Sequence, residues 1–341
     1  MGNYDNQGRI SKQAFLYSSG ILLAICIIAA FTRFWIRISI QRQFSMDDYF
    51  LVLGMCCLIA SLSLLFYYID DMMFIGALIT GTAHINGDNS GSWKQRAFRY
   101  QEIVVIACIL TWVAIISVKM SFLFLFKRLL GRMETMLVYW YFVLIFTLAI
   151  SAYGFLVYIL PCPYFYDERS FKCNQGTKAD LTFKYSMPQM ILDVFSDILI
   201  LAIPVRLLWQ IRVRLSQKIA ISSSLCLTIV IIAVTIIRAS GIRHGNSIDS
   251  VWETYWQVIS AEVGLIMTSA TAFRTFFVAR SAARQRQRDQ NRVRHDWTAR
   301  FCKIQMPSSV SLKTLRVSNS TDDTRDIERG IEGATLAESR G

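Results

Sequence analysis

The chain has 341 residues, of which 54% are hydrophobic and 18% are charged, and its formal net charge is +12. This composition is too apolar for an ordinary soluble globular domain and favours a protein that resides in lipid. The basic excess lies in the loops and the tail, so it indicates contact with a membrane surface and makes a nucleic-acid role a poor fit.

Seven apolar stretches are each long enough to cross a bilayer, whose hydrocarbon core of about 30 Å requires roughly 20 residues of helix. Most are apolar on all sides, whereas helices of a soluble domain show a polar face. We therefore predict an all-α membrane protein, a bundle of seven transmembrane helices. In chain order the stretches are residues 14–32, 49–69, 103–126, 136–160, 187–205, 219–237 and 254–273.

Three regions follow from these stretches. Residues 1–13 form a short extracellular amino-terminal segment, and residues 14–275 form the seven-helix membrane domain. The first stretch is longer than the core of a signal peptide and no small-residue cleavage site follows it, so we interpret it as an uncleaved anchor. Residues 276–341 form a basic juxtamembrane segment and then a polar cytoplasmic tail with too few apolar residues to fold.

The orientation is predicted from basic residues near the span ends. Ten fall in the loops after odd-numbered spans and nine in the longer, more acidic loops after even-numbered spans, with Arg33, Arg37 and Arg238 counted among them. The segment after the last span is more decisive, because eight basic residues between Arg280 and Lys303 stand against two aspartates. The amino terminus then lies outside and the carboxyl terminus in the cytoplasm.

A cluster of arginines in this juxtamembrane segment has two interpretations. It is a topology determinant and no more, which we favour, or it also binds anionic lipids of the inner leaflet, with about 1 kcal/mol of attraction per residue. The arginines are Arg280, Arg284, Arg286, Arg288, Arg292 and Arg294.

Two carboxylates, Asp47 and Asp48, open the second apolar stretch. Acidic side chains are favoured there because the amino end of a helix carries partial positive charge and free N–H groups. We predict that this pair caps the helix, in preference to binding a metal.

Only four charged residues lie inside the spans: Lys119, Asp193, Asp197 and Glu262. A charge at mid-bilayer costs about 2.5 to 3.5 kcal/mol on insertion scales, so these side chains should face one another or a wet cavity. Asp193 and Asp197 are four residues apart and share a helix face. Lys119 comes late in its helix and lies deeper, and its long stem can reach either Asp197 or the inner headgroups. The four residues predict either a polar pocket or relay, or a structural ion pair that fixes helix packing.

The cysteines divide by compartment. Five lie within spans, where cysteine packs as a small apolar residue, and Cys302 lies in the reducing cytoplasm. Cys162 and Cys173 share an outward loop at a closable separation, which predicts a disulfide between them. A bond from one of them to Cys108, near the outer end of the third span, is the alternative.

Motifs of catalysis and cofactor binding are missing from the sequence. It contains no phosphate-binding glycine loop, no HExxH and no GxSxG, and no metal-ligand spacing. The seventh span has no lysine, which excludes a retinal Schiff base at the position where rhodopsins carry it. We predict no cofactor.

Several motifs together resemble the fungal rhodopsin-like domain family, which includes receptor-like proteins of the Pth-eleven type and membrane proteins of the satratoxin cluster. The matching residues are Arg33, Arg37, Asp47-Asp48-Tyr49-Phe50, Gly81, His84, Lys119, Ser121, Leu123, Lys127-Arg128-Leu129, Cys162, Tyr164-Phe165-Tyr166-Asp167, Cys173, Asp193, Asp197, Ile203-Pro204, Leu208-Trp209, Ile237-Arg238 and Glu262. The resemblance covers residues 20 to 275 and implies a receptor-like architecture without retinal.

The resemblance also implies a receptor-like or accessory membrane protein, in the plasma membrane or an endomembrane, with a link to secondary metabolism or infection. We expect it to bind a small hydrophobic or lipid-like ligand and, if it signals, a G protein. Two alternatives remain. A membrane-embedded enzyme such as a cyclase would use Asp193, Asp197 and Glu262 as proton donors, and a transporter would use the same charges as its path.

Overall fold

The computed structural model describes residues 9–41, 46–79, 92–130, 134–160, 176–210, 229–241, 243–244, 247–270 and 287. Nearly all of them are helical. The helices are α1 (Lys12–Ile36), α2 (Met46–Tyr67), α3 (Ile69–Ile79), α4 (Ser92–Leu130), α5 (Glu134–Ile159), α6 (Gly176–Gln210), α7 (Ile229–Gly241) and α8 (residues 250–270). Between α7 and α8, the two-residue strands β1 (Arg243–His244) and β2 (Ser247–Ile248) pair antiparallel.

Five helical segments in the described part of the chain are long and apolar enough to cross a membrane. They are Lys12–Ser39, Met46–Tyr67, Gln95–Lys127, Met136–Ile159 and Asp180–Arg206, and they contain the first five predicted spans apart from the ends of the second and fourth. The predicted sixth span is described only from residue 229, as the short apolar helix α7, and the seventh only up to residue 270, in α8. The chain is therefore a helical membrane bundle, and the count of seven spans stays a prediction.

Large apolar side chains on the outside of the bundle are those that lipid would cover. On α1, Ile28 and Phe31 are 66% and 68% exposed, and on α5, Val138 and Ile145 are 71% and 66% exposed. Apolar side chains exposed to this extent along whole helices would be costly in water, but hydrocarbon is their preferred solvent.

Helix α4 lies at the centre of the bundle and packs against α2, α3, α5 and α6. Small residues permit these close approaches, as is usual between membrane helices. A Cβ atom on Gly54 of α2 would lie 3.1 Å from Cβ of Ser117 on α4, and one on Gly154 of α5 would lie 2.4 Å from the indole of Trp112. The Trp112 ring is fully buried, and its Nε1 donates to the carbonyl of Ser151 at 3.2 Å.

Two helices, α1 and α6, have features that the apolar pattern does not show. Helix α1 begins at an amino-terminal cap, where Oγ of Ser11 accepts from the N–H of Ala14 at 3.2 Å. It ends in a π-helical turn over Arg37–Gln41, a rare geometry that often marks functional positions. Helix α6 contains Pro188 and Pro204, each of which removes a helical hydrogen bond.

The chain divides by compactness into Met1–Ala282 and Ala283–Gly341. All eight helices belong to the first unit. In the second unit the structure describes residue 287 alone. The predicted lipid-binding arginines between Arg280 and Arg294 lie outside the described residues.

Candidate functional site

A buried cluster of charges joins α4 to α6. Nζ of Lys119 lies 2.7 Å from Oδ1 of Asp193 and 2.8 Å from Oδ1 of Asp197, and it donates to Oγ of Ser196 at 2.6 Å. It also reaches the carbonyl of Asp193 at 3.1 Å. The ammonium therefore uses all of its hydrogens within the protein. We call these four residues the Lys119 cluster.

The local sequence explains how the cluster assembles. Asp193, Ser196 and Asp197 lie at i, i+3 and i+4 on α6, so their side chains share one face of the helix. Lys119 comes late in α4, and its long stem spans the gap to α6. The side chains of Lys119, Asp193 and Asp197 are at most 7% exposed. One cation facing two carboxylates leaves a formal excess of one negative charge, and Oδ2 of Asp197 has no hydrogen-bond partner among the described residues.

A cavity lies beside the Lys119 cluster, between α4, α6, α7 and α8. The cavity is small, with about 30 Å³ of space for the centre of a water-sized sphere, and it is partly open to the surroundings. Its walls are mostly apolar, and its charged lining residues are Lys119, Asp193, Asp197 and Arg238. The apolar part of the wall consists mainly of Ile115, Val118, Phe122, Ile200 and Ile231.

Arg238 of α7 is a lining residue whose predicted position, in a loop, is wrong. The basic-residue count treats it as a loop charge, but its side chain is 1% exposed and lies inside the bundle. Its Nε and Nη2 have no hydrogen-bond partner in the part of the chain that the structure describes. Glu253 of α8 is within electrostatic range of Arg238. Helix α7 continues to Gly241, beyond the predicted end of the sixth span at residue 237. Arg238 is therefore part of a bundle helix and not of a loop.

Glu262, the fourth intramembrane charge, does not join the Lys119 cluster. Its side chain is fully buried in α8, and neither carboxylate oxygen has a hydrogen-bond partner among the described residues. Cys26 of α1 is within its electrostatic range. The structure thus brings together three of the four intramembrane charges. The fourth, Glu262, lies apart from them on α8.

A second ionic cluster lies where α1 ends and α2 begins. Arg33 donates from Nη2 to Oδ2 of Asp47 at 2.6 Å, and from Nε to Oδ1 of Asp48 at 3.1 Å. Arg37 contacts Oδ2 of Asp47 at 2.5 Å, and its Nη1 lies 2.9 Å from Oδ2 of Asp48, near enough for an ion pair but outside hydrogen-bond geometry. We call these four buried residues the Arg33 cluster.

The Arg33 cluster changes the interpretation of two basic residues. Arg33 and Arg37 are counted above as loop charges, but their side chains are 1% and 6% exposed. Asp47 and Asp48 lie in the first turn of α2, where capping stays a prediction, and their carboxylates also pair with the two arginines. The sequence does indicate this ionic pairing, since two arginines four residues apart precede an acidic pair.

The Arg33 cluster also contacts two further helices. Nη1 of Arg33 donates to the carbonyl of Thr268 on α8 at 2.8 Å, and Oγ of Ser121 on α4 donates to the carbonyl of Asp47 at 3.0 Å. Ser121 is two residues from Lys119, and two residues correspond to about 200° of helix rotation. Helix α4 therefore contacts the Arg33 cluster on one face and the Lys119 cluster on nearly the opposite face.

A polar network between α4, α5 and α8 was not predicted. Oη of Tyr158 donates to Oε1 of Gln257 at 3.0 Å, and Nε2 of Gln257 donates to the carbonyl of Cys108 at 2.9 Å. Sγ of Cys108 lies 3.7 Å from Oγ1 of Thr254. None of these side chains carries a charge, so a search for intramembrane charges could not find them.

The predicted disulfide lies outside the described residues, as do both Cys162 and Cys173. Cys108 is a buried free thiol, so the alternative bond through Cys108 is not present. Among the described residues, no three His, Cys, Asp or Glu side chains are placed to hold a metal ion.

Comparison with known proteins places this arrangement in a family. The fungal rhodopsin domain matches residues 32–279, a range that begins beside Arg33 and contains both clusters. The chain belongs to the fungal rhodopsin family. Searches among curated proteins and among solved structures returned no match. The family fixes the architecture, and it leaves the ligand and the activity to be argued from the site.

Proposed function

We propose that this fungal rhodopsin family member is a receptor-like membrane protein of seven helices that binds a small ligand in the cavity beside the Lys119 cluster. It acts without catalysis, as a receptor or as an accessory protein of secondary metabolism or infection. The single observation that carries this proposal is the cavity itself, where buried charges of α4, α6 and α7 converge between apolar walls. Such a combination is the usual character of a small-molecule site.

The predicted orientation supports an outward-facing site. With the amino terminus outside, α6 and α8 run inward, so Asp193 and Asp197 lie in the outer half to the middle of the bundle. Arg238 lies near the end of α7 that faces outward. A ligand arriving from outside or from the outer leaflet would meet these residues first.

Helix α4 offers a route from the cavity to the cytoplasmic end. The Arg33 cluster lies at that end in the predicted orientation, and Ser121 connects it to α4. A ligand that shifts α4 relative to α6 would change the position of Ser121 against α2. A G protein at the cytoplasmic face is the partner that this route would serve.

Retinal is not the ligand that this site supports. The helical residues 250–270 of α8 contain no lysine, and the lysine of α4 is held by two aspartates in the Lys119 cluster. A Schiff base requires an accessible, neutral amine, and an ammonium with two carboxylate partners is neither.

The proposal is tested by expressing the full chain in a heterologous cell with a G-protein reporter and applying a broad panel of metabolites and lipids. A ligand-dependent response that Asp197→Ala weakens and the exposed Arg206→Lys leaves intact supports it. If no compound produces a response or a measurable binding signal, the ligand-binding proposal fails while the membrane fold stands.

The same preparation discriminates the other classes. Product formation by membranes containing this protein alone, lost in Asp197→Asn, would identify an enzyme. Uptake of a compound into proteoliposomes would identify a transporter. Metabolite profiling of a strain lacking the protein tests the link to secondary metabolism, because a missing end product, an accumulated precursor and an unchanged profile indicate different roles.

A further inference from the structure

The side chains that line the cavity differ in whether their hydrogen-bonding capacity is used. Lys119 is fully engaged by α6. Thr235 donates to the carbonyl of Ile231 at 3.0 Å, and Ser260 donates to the carbonyl of Trp256 at 2.8 Å. Two charged groups remain with unused atoms within the described residues, the guanidinium of Arg238 and Oδ2 of Asp197.

The unused atoms of Arg238 form one recognition edge. Nε and Nη2 lie on the same side of a guanidinium, and their N–H groups point in parallel. This edge matches the two oxygens of a carboxylate, which it binds through two parallel charge-assisted hydrogen bonds. Because the side chain is 1% exposed, an empty edge there leaves two desolvated donors unsatisfied.

Oδ2 of Asp197 requires the opposite kind of group. An ionised carboxylate oxygen only accepts hydrogen bonds, and the other oxygen of Asp197 already contacts Lys119 at 2.8 Å. A hydroxyl group satisfies Oδ2 without adding charge to the cavity. An ammonium would also donate, but it would lie beside Lys119 and be repelled by it.

We propose that the cavity binds a small hydroxylated carboxylic acid, whose carboxylate pairs with the Nε and Nη2 edge of Arg238 and whose hydroxyl donates to Oδ2 of Asp197. The carbon chain between the two groups packs on the apolar wall formed by Ile115, Val118 and Ile231. The proposed function gives the cavity a ligand, and this inference, which rests on it, gives the ligand's chemical class.

The positions of the charges, rather than their sum, favour this class over a cation. The four charged lining residues sum to zero, but both carboxylates are held by Lys119, whereas Arg238 makes no direct ion pair with a described residue, although Glu253 is within range. A carboxylate at Arg238 would give this buried cation a direct ionic partner. A cation would instead have to compete with Lys119 for its carboxylates.

The test measures binding to the full-length protein in nanodiscs of phosphatidylcholine. The probes are short straight-chain hydroxy acids of increasing length, the matching unsubstituted acids, the matching alcohols and amines, and inorganic phosphate. The hydroxy acids should bind best, the plain acids about tenfold or more weaker, and the alcohols weaker still, because each loses a hydrogen bond to a buried charge.

Two variants separate the two contacts. Arg238→Lys keeps the charge but loses the bidentate edge, so it should weaken both classes of acid by about tenfold. Asp197→Ala should remove the advantage of the hydroxyl, and plain acids should bind at least as tightly as to the unchanged protein because one negative charge is gone. Arg206→Lys, an exposed arginine near the end of α6, is the matched control and should change neither.

Each contrary result has its own meaning. If alcohols or amines bind best and Arg238→Lys has no effect, the cavity binds a ligand of another class and only this inference fails. If no probe in any class binds, the proposed function fails with it. If inorganic phosphate displaces the acids and binds more tightly, the site takes a free phosphate. If phosphatidic acid added to the nanodiscs does so and inorganic phosphate does not, the oxyanion belongs to a lipid headgroup. Either result excludes the hydroxy acid.

Discussion

Nη2 of Arg33 lies 2.6 Å from Oδ2 of Asp47 and so joins the last turn of α1 to the first turn of α2. Both side chains are at most 2% exposed. A buried pair is not strong evidence of net stability, because desolvation offsets much of the attraction between its charges. Removal of one partner is different, since it leaves the other as an uncompensated charge in a medium that does not solvate it.

We expect Asp47→Ala to destabilise the bundle by about 3 to 5 kcal/mol, the usual cost of breaking a buried pair. The midpoint of thermal unfolding in detergent measures this, followed by a thiol-reactive dye that reaches the buried free cysteines Cys26 and Cys108 only on unfolding. Asp70→Ala is the matched control. Its carboxylate pairs with Lys12 but is 72% exposed, so its loss should cost at most about 1 kcal/mol. Equal effects of the two substitutions would contradict a structural role for the Arg33 cluster.

The sequence predicts the helical membrane class and the position of the first five apolar helices, because a run of about 20 apolar residues has few alternatives to a spanning helix. It also identifies Lys119, Asp193 and Asp197 as side chains that need partners. It does not separate buried from exposed arginines at span ends. Arg33 and Arg238 lie where an apolar run stops, but the helices continue past that point, and only their packing decides which arginines face inward.

Within the Lys119 cluster, the number of charges predicts unequal effects of substitution. Lys119→Met leaves two carboxylates facing each other without a cation and should destabilise by about 3 to 5 kcal/mol. Asp197→Asn leaves one ammonium paired with Asp193 and should change stability by about 1 kcal/mol or less. The dye assay measures both.

A control for the loss of a lysine is available on the same helix. Lys127→Met removes a partly buried cation that lies 4.6 Å from the ring centroid of Trp140, a contact of about 0.5 to 1 kcal/mol. If Lys119→Met costs no more than Lys127→Met, the Lys119 cluster does not hold α4 to α6.

Close packing between α4 and α5 predicts that one added methyl group at residue 154 destabilises the bundle. In Gly154→Ala the added Cβ would lie 2.4 Å from the indole of Trp112, which is buried and hydrogen-bonded, so the helices must separate at a cost of about 1 to 3 kcal/mol. Gly20→Ala is the control, since a Cβ there meets nothing within 4 Å. It should leave stability unchanged or raise it by up to about 1 kcal/mol.

The predicted disulfide between Cys162 and Cys173 can be counted chemically. The chain has 8 cysteines, so unfolded protein should expose two fewer thiols to maleimide without reductant than with it. Cys162→Ser and Cys173→Ser should each abolish the difference, whereas Cys108→Ser should preserve it because Cys108 is a free thiol. An equal thiol count with and without reductant would show that the loop is not cross-linked.

The orientation predicts which side of the membrane each asparagine meets. Glycosylation requires an Asn-x-Ser/Thr sequon in the lumen, and Asn319-Ser320-Thr321 is the only one in the chain. Because the tail is predicted to be cytoplasmic, Asn319 should stay unmodified. Asp88→Thr completes a sequon at Asn86 in the loop after the second span, which is predicted to lie outside, and should produce a glycosidase-sensitive increase in mass. Modification of Asn319 in place of Asn86 would reverse the orientation, put the Arg33 cluster on the outer side, and remove the proposed route from the cavity to a G protein.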